Sequence, residues 1–226
     1  MISRHSSVPW TARQLHEFGL EEVSRLQDQL REWQKRNRLS GEPAELFRQL
    51  RTDRRFQFRS PDRLLAEARR MVTEVEKALP RLFAGKPEAP LVVRSMPQRL
   101  APQGRSTYRP PAAGGRAPGV LLLRAESQEA ARKFELGPIV LHEGLPGHHL
   151  QIGLQMEMED IAPFRAFYPV AEFSEGWAHY AESLGSELGV YQDSYAEFGR
   201  LEGEMLRAAR LVADTGVNAF GWNQER

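Results

Sequence analysis

Three of the six histidines of the chain fall in one short run, Leu141-His142-Glu143-Gly144-Leu145-Pro146-Gly147-His148-His149-Leu150-Gln151. A histidine followed by a glutamate, with a second histidine close by, is the residue set of a hydrolytic zinc site. Two imidazoles hold the metal, and the glutamate takes a proton from the water that the metal activates. In the usual H-E-x-x-H spacing, one helical turn puts both imidazoles on one face. Here the second histidine arrives two residues late. On an unbroken helix, residues six apart are separated by about 9 Å along the axis. That is too far for two bonds of about 2.0–2.1 Å to one zinc.

Pro146 offers the way out, because its ring clashes with the carbonyl four residues back, that of His142. Gly144 and Gly147 add backbone freedom. The segment is therefore expected to bulge or break, looping out Gly144-Leu145 and leaving His142 and His148 adjacent in space. His149 competes with His148 as the second ligand. A loop whose histidines only satisfy backbone groups is the alternative.

A catalytic zinc needs a third protein ligand and one open position. Downstream lies Ala171-Glu172-Phe173-Ser174-Glu175-Gly176-Trp177-Ala178-His179-Tyr180-Ala181-Glu182. On a helix Glu175, His179 and Glu182 share one face, backed by Phe173, Trp177 and Tyr180. Glu175 is the expected ligand, with Glu172 and Glu182 as competitors. His179 and Glu182 are expected behind it or beside the substrate. A solvated charged face is the competing reading of this stripe.

The elements that must position these residues are mostly helical. Residues 11–38 read as an amphipathic helix capped by Thr11 and weakened at Gly19, and residues 40–50 as a shorter one after a break at 41–43. Ser60-Pro61-Asp62 opens a third helix, with Ser60 as cap and Pro61 at the first position, ending near Pro80. Residues 87–119 are rich in Pro, Gly and Ala, with a short strand at 91–94, a better one at 119–124 and a loop at 110–118. The chain turns helical again from Ser127. Further helices are expected at 171–188 and 195–212, and one starting near Asn223. The expected fold is mainly α with a small β-sheet, an α+β chain. Its helical region spans 1–86, and a region at 87–226 carries the chemistry, the two forming one continuous domain.

Composition narrows the function classes. The net charge of +1 gives no global pull toward nucleic acid or an anionic membrane. The local exception is the arginine-rich stretch at 48–59, read as a solvated helix end. With no cysteine, thiolate metal sites and disulfides are excluded, so a metal must be held by His and carboxylate. No apolar run reaches the roughly 18 residues of a membrane span. The start of the chain lacks the apolar core of a signal peptide, which makes a cytoplasmic location the default expectation. No phosphate-binding glycine loop and no G-x-S-x-G serine motif occurs.

The two motif blocks, with a third at Arg207-Ala208-Ala209-Arg210-Leu211-Val212-Ala213-Asp214-Thr215-Gly216-Val217-Asn218, resemble a bacterial family known as domain of unknown function 885. That family belongs with the glutamate-zincins, distant relatives of thimet oligopeptidase, carboxypeptidase Taq and angiotensin-converting enzyme. The resemblance implies a zincin-like core. It aligns Gly147-His148 with the ligand histidine of related motifs, and Glu175 with the third ligand. It also implies that residues 119–124 form an edge strand on which an extended peptide lies, contacting Leu122 and Leu123. Family members are often exported, usually carry His where this chain has Asn218, and run to more than twice this length. The chain is therefore expected to be truncated relative to the family, with an incomplete cleft.

The expected chemistry is hydrolysis of a peptide or small amide with Zn²⁺ as cofactor: His142, His148 and Glu175 on the metal and Glu143 as base. His149, His179 and Tyr180 are candidate donors to the oxyanion. Arg210 is a candidate for a substrate carboxylate, against a structural pairing with Asp214. No nucleic acid partner is expected, and the oligomeric state is open. A metal-binding chain without turnover and a helical interaction module are the rivals.

Overall fold

The computed structural model describes residue 6 and residues 8–97, 105–112, 117–126, 130–162, 164–165 and 170–223. It is mainly helical with one three-stranded sheet. The contacts divide it into two compact units, one of residues 1–52 and 197–226, the other of residues 53–196. The division does not fall at residue 87. The helix of residues 61–78 packs on the first strand and on the helix at 133–143, so it belongs with the motif region.

The first unit contains α1 (Ala12–Arg36), α2 (Pro43–Thr52) and α7 (Ser194–Phe220) from Glu197 onward. Thr11 caps α1 as expected, in a reciprocal capping box with Gln14. Gly19 does not break this helix. A Cβ there would stand 2.8 Å from a methyl of Val212, so the glycine lets α7 approach closely. Trp33 and Phe198 pack together in this core, rings tilted and centroids 4.9 Å apart. α7 runs on to Phe220, longer than expected. Residues 221–223 carry no helix, and the rest of the helix expected near Asn223 lies outside the described residues.

The second unit holds α3 (Pro61–Ala78), β1 (Leu91–Ser95), β2 (Thr107–Arg109), β3 (Gly119–Leu123), α4 (Lys133–Glu143), α5 (His148–Glu157) and α6 (Ala171–Ser183). Ser60 caps α3 through a bond from the Arg63 amide, with Pro61 in the first turn. Leu64, Ala68, Val72 and Val75 of α3 enter one core with Leu121 and Leu123 of β3 and Leu136, Val140 and Leu141 of α4. Each such buried Leu or Val contributes about 1.5–3 kcal/mol relative to exposure. That packing holds the end of α4, and with it His142 and Glu143, against the sheet. The helix expected from Ser127 begins at Lys133, with residues 127–129 outside the described residues.

The sheet corrects one expectation. Its order is β1-β3-β2, with β1 parallel and β2 antiparallel to β3. The strand at 119–123 is therefore central, paired on both sides, and cannot receive a peptide by strand addition. Leu123 is fully buried in the core, and Leu122 pairs with Thr107. A strand of five consecutive apolar or glycine residues buries both faces, as a central strand does. β2, whose residues carry no strand signal in the sequence, is the edge beside it.

Candidate metal centre

α4 ends at Glu143 and α5 begins at His148, so the break expected from Pro146 is present. All four residues 144–147 lie outside the helices, a wider break than a loop of Gly144-Leu145. The Gly147 amide donates to the Leu141 carbonyl at 2.9 Å. A Cβ on Gly147 would stand 2.0 Å from the His142 carbonyl oxygen, so only glycine permits this fold-back. The Trp177 indole on α6 donates to the Pro146 carbonyl at 2.8 Å, tying the loop to the helix that carries Glu175. The result brings the His142 and His148 rings to a centroid separation of 4.8 Å, nearly perpendicular.

His142, His148 and Glu175 converge, with one donor atom from each lying within 4.8 Å of the others. Glu175 Oε2 is 3.3 Å from His142 Nε2, and its Oε1 is 3.6 Å from His148 Nε2. Tetrahedral ligands with bonds of about 2.0–2.2 Å stand roughly 3.3–3.6 Å apart. The donor set and spacing therefore fit zinc. The carboxylate is mostly exposed, which leaves the open side toward solvent.

The opposite nitrogens are also held. His142 Nδ1 lies 2.7 Å from Oε1 of the buried Glu182, and His148 Nδ1 lies 3.3 Å from Ser174 Oγ. A carboxylate behind a ligating imidazole fixes its tautomer and raises its basicity. Glu182 lies behind His142, and not behind Glu175 or beside a substrate as expected. Ser174 was not anticipated, because nothing distinguishes one serine in a helix until the facing histidine is known. Tyr191 donates to the Glu182 carbonyl at 2.7 Å and fixes the end of this helix. Replacing Glu182 with Gln should weaken zinc binding about tenfold, the low end of the usual 10- to 100-fold range. A chelator competition titration reads this, and an unchanged affinity would separate the Glu182 charge from the site.

Burial opposes charge on His142, but its bonds to Glu175 and Glu182 outweigh that and push its pKa up to about 9. A cation is thus stabilised between two carboxylates. Burial pushes Glu143 up to about 7, against the pull of charged His142 and a hydrogen bond from the Tyr108 backbone amide. His148 is held low by burial and by charge on His142.

The remaining candidates separate. His149 does not join the donors. It is buried, with Nδ1 2.9 Å from the Tyr108 hydroxyl, because its position on α5 turns its ring to the sheet. Tyr180 is exposed and packs on Trp177. Five residues along a helix amount to about 140° of net rotation, so it leaves the Glu175 face. Phe173 and Trp177 likewise face away and line an apolar cavity of about 620 Å³ with Leu150, Leu154 and Met158. His179 shares the Glu175 face, with Nδ1 buried, without a hydrogen-bond partner among the described residues and 3.9 Å from Glu182 Oε2. Arg210 is an exposed residue of α7 in the first unit, and Asp214 instead accepts from Asn218 at 3.0 Å. Tyr108 has no counterpart among the residues expected from sequence, since a lone tyrosine in a Pro- and Gly-rich stretch carries no periodic signal.

Comparison with known proteins adds three findings. The profile of a family described as "Bacterial protein of unknown function (DUF885)" matches residues 1–226. The crystal structure of "the putative lipoprotein from Colwellia psychrerythraea" superposes with a TM-score of 0.93 at 30% identity, covering 99% of this chain and 40% of that one. No curated protein matches the chain.

Proposed function

The chain belongs to the bacterial DUF885 family, and on that premise we propose that it is a zinc-dependent hydrolase of peptide or other amide bonds with a glutamate-zincin-like core. One observation carries this reading: Glu175 oxygens lie 3.3 Å from His142 Nε2 and 3.6 Å from His148 Nε2, with a donor atom of each residue within 4.8 Å of the others, beside a glutamate that is not among the three donors. When bound there, zinc would supply Lewis acidity, polarising a carbonyl and acidifying water.

The chain's own residues do the rest. His142, His148 and Glu175 hold the ion, with Glu182 and Ser174 orienting the two imidazoles. The Glu143 carboxylate takes a proton from water and returns it to the leaving nitrogen. A base whose pKa is raised by burial to about 7 is matched to that exchange near neutral pH. His179, on the Glu175 face, is the remaining candidate to donate to an oxyanion. No helix among the described residues is long and apolar enough to cross a membrane. The lipoprotein description of the Colwellia relative favours an exported setting over a cytoplasmic one.

The chain spans 40% of that relative's length, and metal binding without turnover is the second reading of the same donor group. Protein purified without a histidine tag separates the readings through its zinc content and its action on a mixed peptide library with zinc added. Near-stoichiometric zinc with cleavage is the expected result. Zinc without cleavage leaves binding alone, and a chain that takes up no zinc overturns both.

A further inference from the structure

His149 is turned away from the metal donors and toward the sheet. We propose that it acts through Tyr108 as a positioning residue, latching the free edge of β2 against the Glu143 carboxylate. The proposal rests on the reading of Glu143 as the base.

β2 is only three residues long, in the connection between β1 and β3, and among the described residues pairs with β3 alone. So short an edge strand is marginal by itself, since closing a long connection costs entropy that a few backbone bonds hardly offset. In an antiparallel pair, the N–H and C=O of one residue point the same way, and successive residues alternate. The Tyr108 amide donates to Glu143. Thr107 and Arg109 therefore turn their polar groups to β3, and Tyr108 presents its own on the free edge, toward the base.

The side chain of the same residue supplies the anchor. The Tyr108 hydroxyl lies 2.9 Å from His149 Nδ1. The His149 amide bonds the Gly144 carbonyl at 3.0 Å, which ties the latch to the motif loop. Gly119 makes the bond possible: a Cβ there would stand 2.6 Å from His149 Nδ1 and 2.7 Å from the Tyr108 hydroxyl. The Tyr108 ring also lies nearly parallel to that of His148, centroids 6.4 Å apart. One side chain thus flanks a ligand, while its backbone touches the base.

Tyr108→Phe removes only the phenol oxygen. Amide exchange at Tyr108 and Arg109 should quicken about 3- to 10-fold, the worth of one hydrogen bond in local opening. Zinc affinity should stay within about twofold, since no metal ligand or its support is removed. On a cleaving preparation, kcat should fall while KM changes little. His149→Gln, whose amide can still bond the phenol, should restore most of what His149→Leu loses. Unchanged exchange in Tyr108→Phe overturns the latch. So does a loss of zinc matching that of His148→Ala, because the pair would then support the ligand and not the strand. If the unaltered chain binds zinc but cleaves nothing, the hydrolytic reading fails, while exchange and zinc binding still decide the latch.

Discussion

Glu143→Gln is expected to bind zinc as the unaltered chain does and to lose about 10²–10⁴-fold in kcat, the usual contribution of a positioned base. The amide has the shape of the carboxylate but cannot take up a proton at neutral pH. Glu143 is absent from the convergent donor group, which comprises His142, His148 and Glu175. It accepts from the Tyr108 amide, as a Gln carbonyl still can. Metal content and turnover measured on one preparation check the prediction. Zinc lost from a correctly folded variant would make Glu143 a ligand, and an undiminished rate would remove it from the chemistry.

The second large effect is expected at Glu175. Apparent zinc binding energies of about 10–16 kcal/mol, shared over four positions, put each ligand at roughly 2.5–4 kcal/mol, on the order of 10²–10³-fold in affinity. Glu175→Ala should lose about that much. The exposed carboxylate makes the loss readable, since its removal leaves no buried cavity. Glu172 lies outside the donor group, so Glu172→Ala should change little. Glu182 touches His142 but not the shared point, and its replacement should fall between the two. Competition with a chelator of known affinity ranks the three. A larger loss at Glu182 than at Glu175 would move the site along α6.

Local chemistry was legible in the residues themselves. Thr11 and Ser60 cap their helices because a side-chain oxygen needs only the amides of the next turn. The break after Glu143 follows from a proline whose ring meets a carbonyl within the same turn. The donor types of His142, His148 and Glu175 were readable as well, since cysteine is absent and two helical patterns carry the titratable groups.

Other features depended on partners far away in the chain. Gly19 looked like a weakness in α1, and only its contact with Val212 shows it as a close approach. β3 was expected at the sheet edge but lies at its centre, because strand order depends on which segments return to pair with it. β2 could not be foreseen, as its three residues are held by pairing with β3 and by the contacts of Tyr108 with His149 and Glu143, none of them local in sequence. The division of the chain depended on α3 packing against β1 and α4.

The residue types, the caps and the helix break were thus determined by sequence alone, because each rests on sterics or hydrogen bonds reaching no further than a turn or two. Which histidine turns to Glu175 and which to Tyr108 was decided by tertiary structure. His148 and His149 are chemically identical neighbours, and about 100° of helical rotation sends one to the donor cluster on α6 and the other to the sheet.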